Sequence, residues 1–237
     1  MTAVRKVVFL VDVDNTLLDN DRAQNDYLQH IKQRFGGHAA ERYWSIFQEL
    51  TEELGYADYL GALQRYRLED LHDPHLLSVS SFLLDYPFHD RLYPQSLDVL
   101  QRLGTFGTTV VFSDGDVVFQ PRKVARSGIR QAVDGRVLIY IHKEEELSDV
   151  ERFHPADHYV LIDDKRRILA AVKQIWGPRV TTIQPLQGHY ANDPNAQAAH
   201  QPADITVAQI SDLLNYDSSA LIEAGRLSAT NKACAPK

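Results

Sequence analysis

Carboxylates, a hydroxyl and an amine recur in this 237-residue sequence just after its apolar runs. Asp12 and Asp14 follow the run at 7–11, Ser113, Asp114 and Gly115 follow 108–112, Lys143 follows 137–141, and the pair Asp163 and Asp164 follows 159–162. Singly, each has a plain reading. An Asp ending a strand is usually a turn former or helix N-cap, Ser-Asp-Gly is a common turn, and Asp163-Asp164 could cap the helix that follows and complement its dipole. Lys143 fits less well, because it opens a segment expected to be helical over 143–153, where a cation meets the positive end of the dipole. Only the glutamates at 144–146 or a bound anion would offset it. Together the residues mean more. Converging carboxylates repel one another unless a cation sits between them. Oxygen donors alone suit a hard ion such as Mg2+, which keeps waters and accepts phosphate oxygens. A serine hydroxyl, neighbouring backbone amides and Lys143 would then hold a phosphoryl group. A carboxylate nucleophile, a second carboxyl, a metal and a lysine are the parts of a phosphoryl-transfer site.

The elements that must position these groups follow from periodicity. Residues 6–11 form a β-branched run of strand length. From about Asn20 to Tyr86, apolar residues recur at three- and four-residue steps (Tyr27, Leu28, Ile31, Phe35; Tyr43, Ile46, Phe47, Leu50, Leu54; Tyr59, Leu63, Tyr66), which is helix spacing, with turns at Gly36-Gly37 and Leu54-Gly55. Beyond Pro94 the pattern alternates. Helices expected over 94–103, 119–127, 143–153 and 165–176 are interleaved with strands over 108–112, 137–141, 159–162 and 179–183. Such alternation implies βαβ units and a parallel sheet covered on both faces. Open sheets of this kind bind ligands at the carboxyl ends of their strands, which is where all the candidate residues fall. The polar stretch 187–203 reads as a long irregular connection of the kind that is often functional, and the tail from Ser228 as frayed. His189 and Tyr190 follow the fifth strand and could reach the same edge, although a plain loop role is the simpler reading.

Composition narrows the field. At 44% hydrophobic and 24% charged, with a mean hydropathy of −0.32, this is the profile of an ordinary soluble globular chain. A formal charge of −7 argues against a nucleic-acid binder. The single Cys234 allows neither a disulfide within the chain nor a cysteine zinc site, and the 10 histidines show no metal-ligand spacing. No apolar run approaches the ~20 residues of a membrane span, and the run at 7–11 is too short for a signal segment. A cytoplasmic protein with no membrane or nucleic-acid partner is expected. Nothing in these features sets the oligomeric state.

The run Asp12-Val13-Asp14-Asn15-Thr16-Leu17-Leu18 resembles the Asp-x-Asp-x-Thr signature of the haloacid dehalogenase-like (HAD) hydrolase superfamily. Ser113 in VVFSDGD is similar to its second motif, Lys143 to its third and the acidic pair in VLIDDK to its fourth, in the family's order. The resemblance covers roughly residues 5–215. It implies an α/β fold, a Rossmann-like parallel sheet with an inserted α-helical cap, divided as a core of residues 1–19 and 92–237 and a cap of residues 20–91. It also implies roles. Asp12 would be the nucleophile, attacking phosphorus to give an aspartyl-phosphate. Asp14 would protonate the leaving oxygen and then activate water, its backbone carbonyl on the metal. Asp164 would ligate Mg2+ directly with Asp163 in support, or the reverse. Thr16 would orient the first loop, while Ser113, Asp114, Gly115 and Lys143 would bind the phosphoryl group, with Lys143 also the counter-ion of Asp12.

Two positions depart from the pattern: Ser-Asp-Gly stands where many relatives have Thr-Asn-Gly, and Lys165 follows the acidic pair where a small residue is common. Dehalogenases of the superfamily lack an acid/base at the Asp14 position, since a halide leaves without a proton. The expectation is therefore a Mg2+-dependent phosphatase of a small phosphorylated metabolite. A phosphotransferase or phosphomutase would use the same residues, and a catalytically silent ligand-binding relative would be expected to have lost at least one of them. A phosphonatase would need a cap lysine, and only Lys32 is offered, on a face expected to be solvated.

Overall fold

All five expected strands lie side by side in the computed structural model, which describes residues 6–69 and 71–233. They are β1 (Val7–Val11), β2 (Thr108–Asp114), β3 (Val137–Tyr140), β4 (His158–Ile162) and β5 (Val180–Pro185), and a sixth, β6 (Ile205–Val207), joins the edge. The order is β3-β2-β1-β4-β5-β6 with every neighbouring pair parallel. Side chains alternate across the pleat. Phe9 and Val11 of β1 enter the hydrophobic cluster on one face, and Val8 and Leu10 enter the cluster on the other. Both faces are covered, as unbroken apolar strands require.

The first four of the α-helices between β1 and β2 are α1 (Asn20–Phe35), α2 (Gly37–Leu54), α3 (Tyr59–Arg67) and α4 (Leu76–Asp85). Asp19 caps α1 by accepting from the amide of Arg22, and Asp58 caps α3 by accepting from that of Gly61. Gly55, at φ +79°, ends α2 in the left-handed conformation. Tyr27, Ile31, Tyr43, Phe47, Leu50 and Tyr59 are buried between these helices, so the aromatic residues at helical spacing are mostly core. The chain leaves and returns together: Leu18 and Leu92 form an antiparallel bridge, and the amide of Asp19 donates to Arg91 O at 2.7 Å. Lys32 is exposed, as expected.

After β2's predecessor α5 (Ser96–Gly104), the chain continues through α6 (Phe119–Arg126), α7 (Ile129–Ala132), α8 (Leu147–Phe153), α9 (Arg166–Trp176), α10 (Gly188–Asn192), α11 (Pro194–Ala198) and α12 (Ser218–Ala233). Four expectations need correction. The single helix over 143–153 is a 3-10 turn at Lys143–Glu145 followed by α8, so Lys143 does not meet the dipole of a long helix. Its amide is drawn instead to Asp114 Oδ1 at 2.8 Å. Ser113 and Asp114 belong to β2 rather than to a turn after it. The stretch 187–203 is not structureless but holds α10 and α11, the latter capped by Asp193 with Pro194 in its first turn. The backbone stays helical past Ser228 to Ala233, and Cys234 lies outside the described residues. Among the described residues no helix is long and apolar enough to cross a membrane.

Candidate active site

The sheet order reverses direction between β1 and β4, and in open parallel sheets ligands bind outside the carboxyl ends of the strands at such a point. Asp12, at the end of β1, and Asp163-Asp164, at the end of β4, sit on neighbouring strands in register, Val11 opposite Ile162. One oxygen from each of Asp12, Asp163 and Asp164 lies within 4.8 Å of the others, and all three side chains are buried. Lys143 enters from beyond β3. Its ammonium, 1% exposed, lies 2.5 Å from Asp12 Oδ1 and 2.7 Å from Asp163 Oδ2, and donates to Phe112 O at 3.0 Å. Burial pulls this ammonium toward neutrality, but the carboxylates of Asp12, Asp163 and Asp114 overcome that and hold it charged, above the ordinary lysine range.

The two adjacent acids of the fourth motif have different surroundings. Asp163 accepts the amide of Lys165 on Oδ1 at 2.8 Å and faces Lys143 with Oδ2. Asp164 is held through its backbone: its amide donates to Thr16 Oγ1 at 3.1 Å and its carbonyl accepts from Gln184 Nε2 at 2.9 Å. Among the described residues neither of its buried carboxylate oxygens has a hydrogen-bond partner. Burial raises the affinity of Asp164 for a proton far above the carboxylate norm, and Asp163 and Asp12 add to it. Asp163 is raised too, by burial and Asp12 against the pull of Lys143. A buried carboxylate without a donor is costly. A hard divalent cation bound by Asp12 and Asp164 would remove both the orphaned oxygens and the repulsion, so the donor set fits such an ion.

The other expected residues divide into two groups. Ser113 Oγ is fully buried, accepts from Gln120 Nε2 at 3.0 Å and lies 3.3 Å from Asp114 O. The Asp114 carboxyl is raised by burial against the pull of Lys143 and accepts that residue's amide. The Gly115 amide donates to Tyr140 O at 2.9 Å and so is spent on the sheet. Thr16 is 0% exposed, its hydroxyl committed to Asp164 and its carbonyl accepting from Gln187 Nε2, an orienting position within the first loop. Asp14 is 28% exposed and paired with Lys123, whose Nζ lies 2.7 Å from its Oδ1. His189 reaches the first turn of α1 rather than the acids, its Nδ1 2.6 Å from Asp21 Oδ1. The ammonium of Lys165 rests 5.1 Å from the Tyr190 ring and is raised: burial lowers it, and Asp164, Asp12 and Asp163 raise it more.

Lys123 and Gln120 were not among the expected residues. Both lie on the buried face of α6, one turn apart, beside Phe119 and Val124. A lysine and a glutamine on an apolar stripe four and one residues from an aromatic were the available signal.

No protein-family profile matches this chain, and no curated protein is similar enough to match. Solved structures are. A haloacid dehalogenase-like hydrolase described from Burkholderia xenovorans LB400 is 58% identical over 90% of this chain and all of its own, with a TM-score of 0.87. The chain belongs to the HAD-like hydrolases. YfnB of Bacillus subtilis, a HAD hydrolase crystallised with magnesium, shares the fold at 16% identity (89% of this chain, 98% of YfnB, TM-score 0.61). So does the L-2-haloacid dehalogenase of Xanthobacter autotrophicus, at 15% identity (88% and 96%, TM-score 0.58). This HAD-like hydrolase therefore has neighbours of fold with both a bound magnesium and a dehalogenase activity, and the chemistry of its own residues must choose between them.

Proposed function

We propose that this HAD-like hydrolase is a Mg2+-dependent phosphatase of small phosphorylated metabolites. One observation carries the reading: a second carboxyl, Asp14, stands two residues beyond Asp12 and is partly open to solvent. A halide departs without a proton. An alkoxide does not, and a positioned carboxyl that can supply one is useful only for the second kind of leaving group.

In this reading Asp12 Oδ attacks phosphorus, the bond to the ester oxygen breaks, and Asp14 gives that oxygen its proton. Water then attacks the aspartyl-phosphate, losing a proton to Asp14 and freeing the Asp12 carboxylate and phosphate. Lys143 balances the charge of Asp12 and of the transferring group, and Ser113 offers its hydroxyl to a phosphoryl oxygen. Asp12 and Asp164, with Asp163 in support and the Asp14 carbonyl, would hold Mg2+, which neutralises phosphoryl charge when bound. Helices α1 to α4, with their connections over 20–91, act as a cap on a core of residues 1–19 and 92–237, and closure excludes bulk water. The tip of this cap already meets the core at Gly55, where an added Cβ would lie 2.7 Å from the His142 ring.

The test is hydrolysis of phenyl phosphate. Turnover should require Mg2+, stop in EDTA and vanish in Asp12→Asn with the fold intact. Turnover that persists in Asp12→Asn shows that another residue is the nucleophile, and turnover of a 2-haloacid without phosphatase activity overturns the reading.

A further inference from the structure

Asp14 is gripped from α6. The ammonium of Lys123 donates to both of its carboxylate oxygens, at 2.7 and 2.8 Å, and to Asn20 Oδ1 at 3.0 Å, so its three hydrogens meet three acceptors. It lies 5.2 Å from the centre of the Phe119 ring and 5.9 Å from that of Phe88. Its side chain is only 1% exposed. An unpaired lysine is almost never buried so completely, and packing alone would favour a leucine or methionine between those rings. Gln120 adds a contact on the same carboxylate at 3.4 Å while bonding Ser113. The partners also join the two connections of the helical insertion, since Asn20 opens α1 and Phe88 lies on the return path.

We propose that Lys123 is a positioning residue that fixes the Asp14 carboxyl in the rotamer from which it serves the leaving oxygen. The inference rests on the phosphatase reading. When the phosphorus–ester bond breaks, its electron pair goes to the departing oxygen and the proton comes from Asp14 in its protonated form, which keeps one oxygen as acceptor for Lys123 and turns the proton on the other toward the leaving oxygen. Lys123 neither touches substrate nor exchanges that proton. Without the grip, a part-exposed carboxyl on a loop samples several rotamers, and a small misplacement of an acid costs rate steeply.

The experiment compares wild type and Lys123→Met on a series of substituted phenyl phosphates, from nitrophenyl to unsubstituted phenyl. The reading is kcat/KM, which covers the steps through cleavage of the ester bond. A good leaving group needs little help from an acid and a poor one needs much. Lys123→Met should lose less than about tenfold on the nitrophenyl ester and on the order of 100-fold on the phenyl ester, within the usual range for general acid catalysis. In an Asp14→Asn background it should add nothing, because a residue that acts through Asp14 has no effect once Asp14 is disabled. Lys123→Gln, which keeps a donor, should fall between. Equal losses across the series, or a full additional loss in Asp14→Asn, would show a merely structural role and overturn the inference. If Lys123→Met does not fold, Lys123→Gln and Asn20→Ala carry the same comparison. A wild-type protein inert toward every ester overturns the phosphatase reading itself, whereas an active wild type with unchanged slopes in the variants overturns only the role of Lys123.

Discussion

Replacing Asp164 by Asn should stabilise the protein without metal and abolish its stabilisation by metal. The ligand atoms of Asp164, Asp163 and Asp12 lie within 4.8 Å, where two like charges at an effective dielectric near 20 repel by about 3 kcal/mol. Lys143 offsets part of this, but its ammonium is turned to Asp12, Asp163 and Phe112, and among the described residues no hydrogen bond reaches either oxygen of Asp164. An amide of the same shape removes two repulsions and keeps one cost, a buried polar group without a partner at about 1–3 kcal/mol. Two repulsions of about 3 kcal/mol each, less that cost and the part that Lys143 already offsets, leave a net gain of roughly 1–3 kcal/mol, or about 2–10 °C in Tm for a chain of this size. Wild type in Mg2+ at 100 times its Kd should gain about 2.7 kcal/mol by mass action, a shift of roughly 5–10 °C. The variant should gain almost nothing. The assay is a thermal melt of both proteins at pH 8 in EDTA and in Mg2+, followed by circular dichroism. An Asp164→Asn protein that melts below wild type in EDTA and still rises with Mg2+ would refute the reasoning, because the orphaned oxygens would then be neither a liability nor a ligand.

The same acids set a pH dependence. Asp163 and Asp164 hold protons more tightly folded than unfolded, burial being the first cause. Their contribution to stability is therefore full below the unfolded value of about 3.9 and is lost as pH rises through their higher folded values. In EDTA, wild type should lose stability relative to Asp164→Asn as pH climbs from 4 to 8, and denaturant titrations at each pH would show it; a constant difference refutes the assignment. Lys143→Met leaves Asp12 and Asp163 buried without their counter-ion and should cost about 3–5 kcal/mol in urea unfolding. Gly188→Ala should destabilise by about 1–3 kcal/mol, since φ is +70° and the new Cβ would lie 2.4 Å from Asn15 Cβ in the first loop. Gly104→Ala, with open space at its Cβ, should melt like wild type and serves as the control.

What could be read from the sequence was whatever a few consecutive residues determine. An apolar run followed by Asp, Ser or Lys marks a strand and its carboxyl end together, and parallel pairing then brings those ends to one edge whatever lies between them. Hence Asp12, Lys143 and Asp163 meet although Lys143 bonds Asp12 across 131 positions. β6 escaped notice because three residues are too few to show a period. The helix expected over 143–153 failed at its start because a tertiary bond, the Lys143 amide to Asp114 Oδ1, outweighed local preference. The division of labour between Asp163 and Asp164 was equally hidden. Neighbours in sequence project differently, and only the placement of Lys143 and the amide of Lys165 shows which acid already has a counter-ion and a donor.

Lys123 marks the boundary most clearly. Along α6 its position belongs to the buried stripe with Phe119 and Val124, where periodicity expects an apolar residue, and its partner Asp14 lies 109 positions away. A charge on a core stripe breaks the local rule, and such breaks concentrate where function requires them. Here the breach falls beside Asp14, the carboxyl on which the proposed ester hydrolysis depends. A polar residue on a predicted apolar face therefore indicates a partner as much as an error in the prediction, and the first place to look for that partner is the nearest loop bearing unexplained charge.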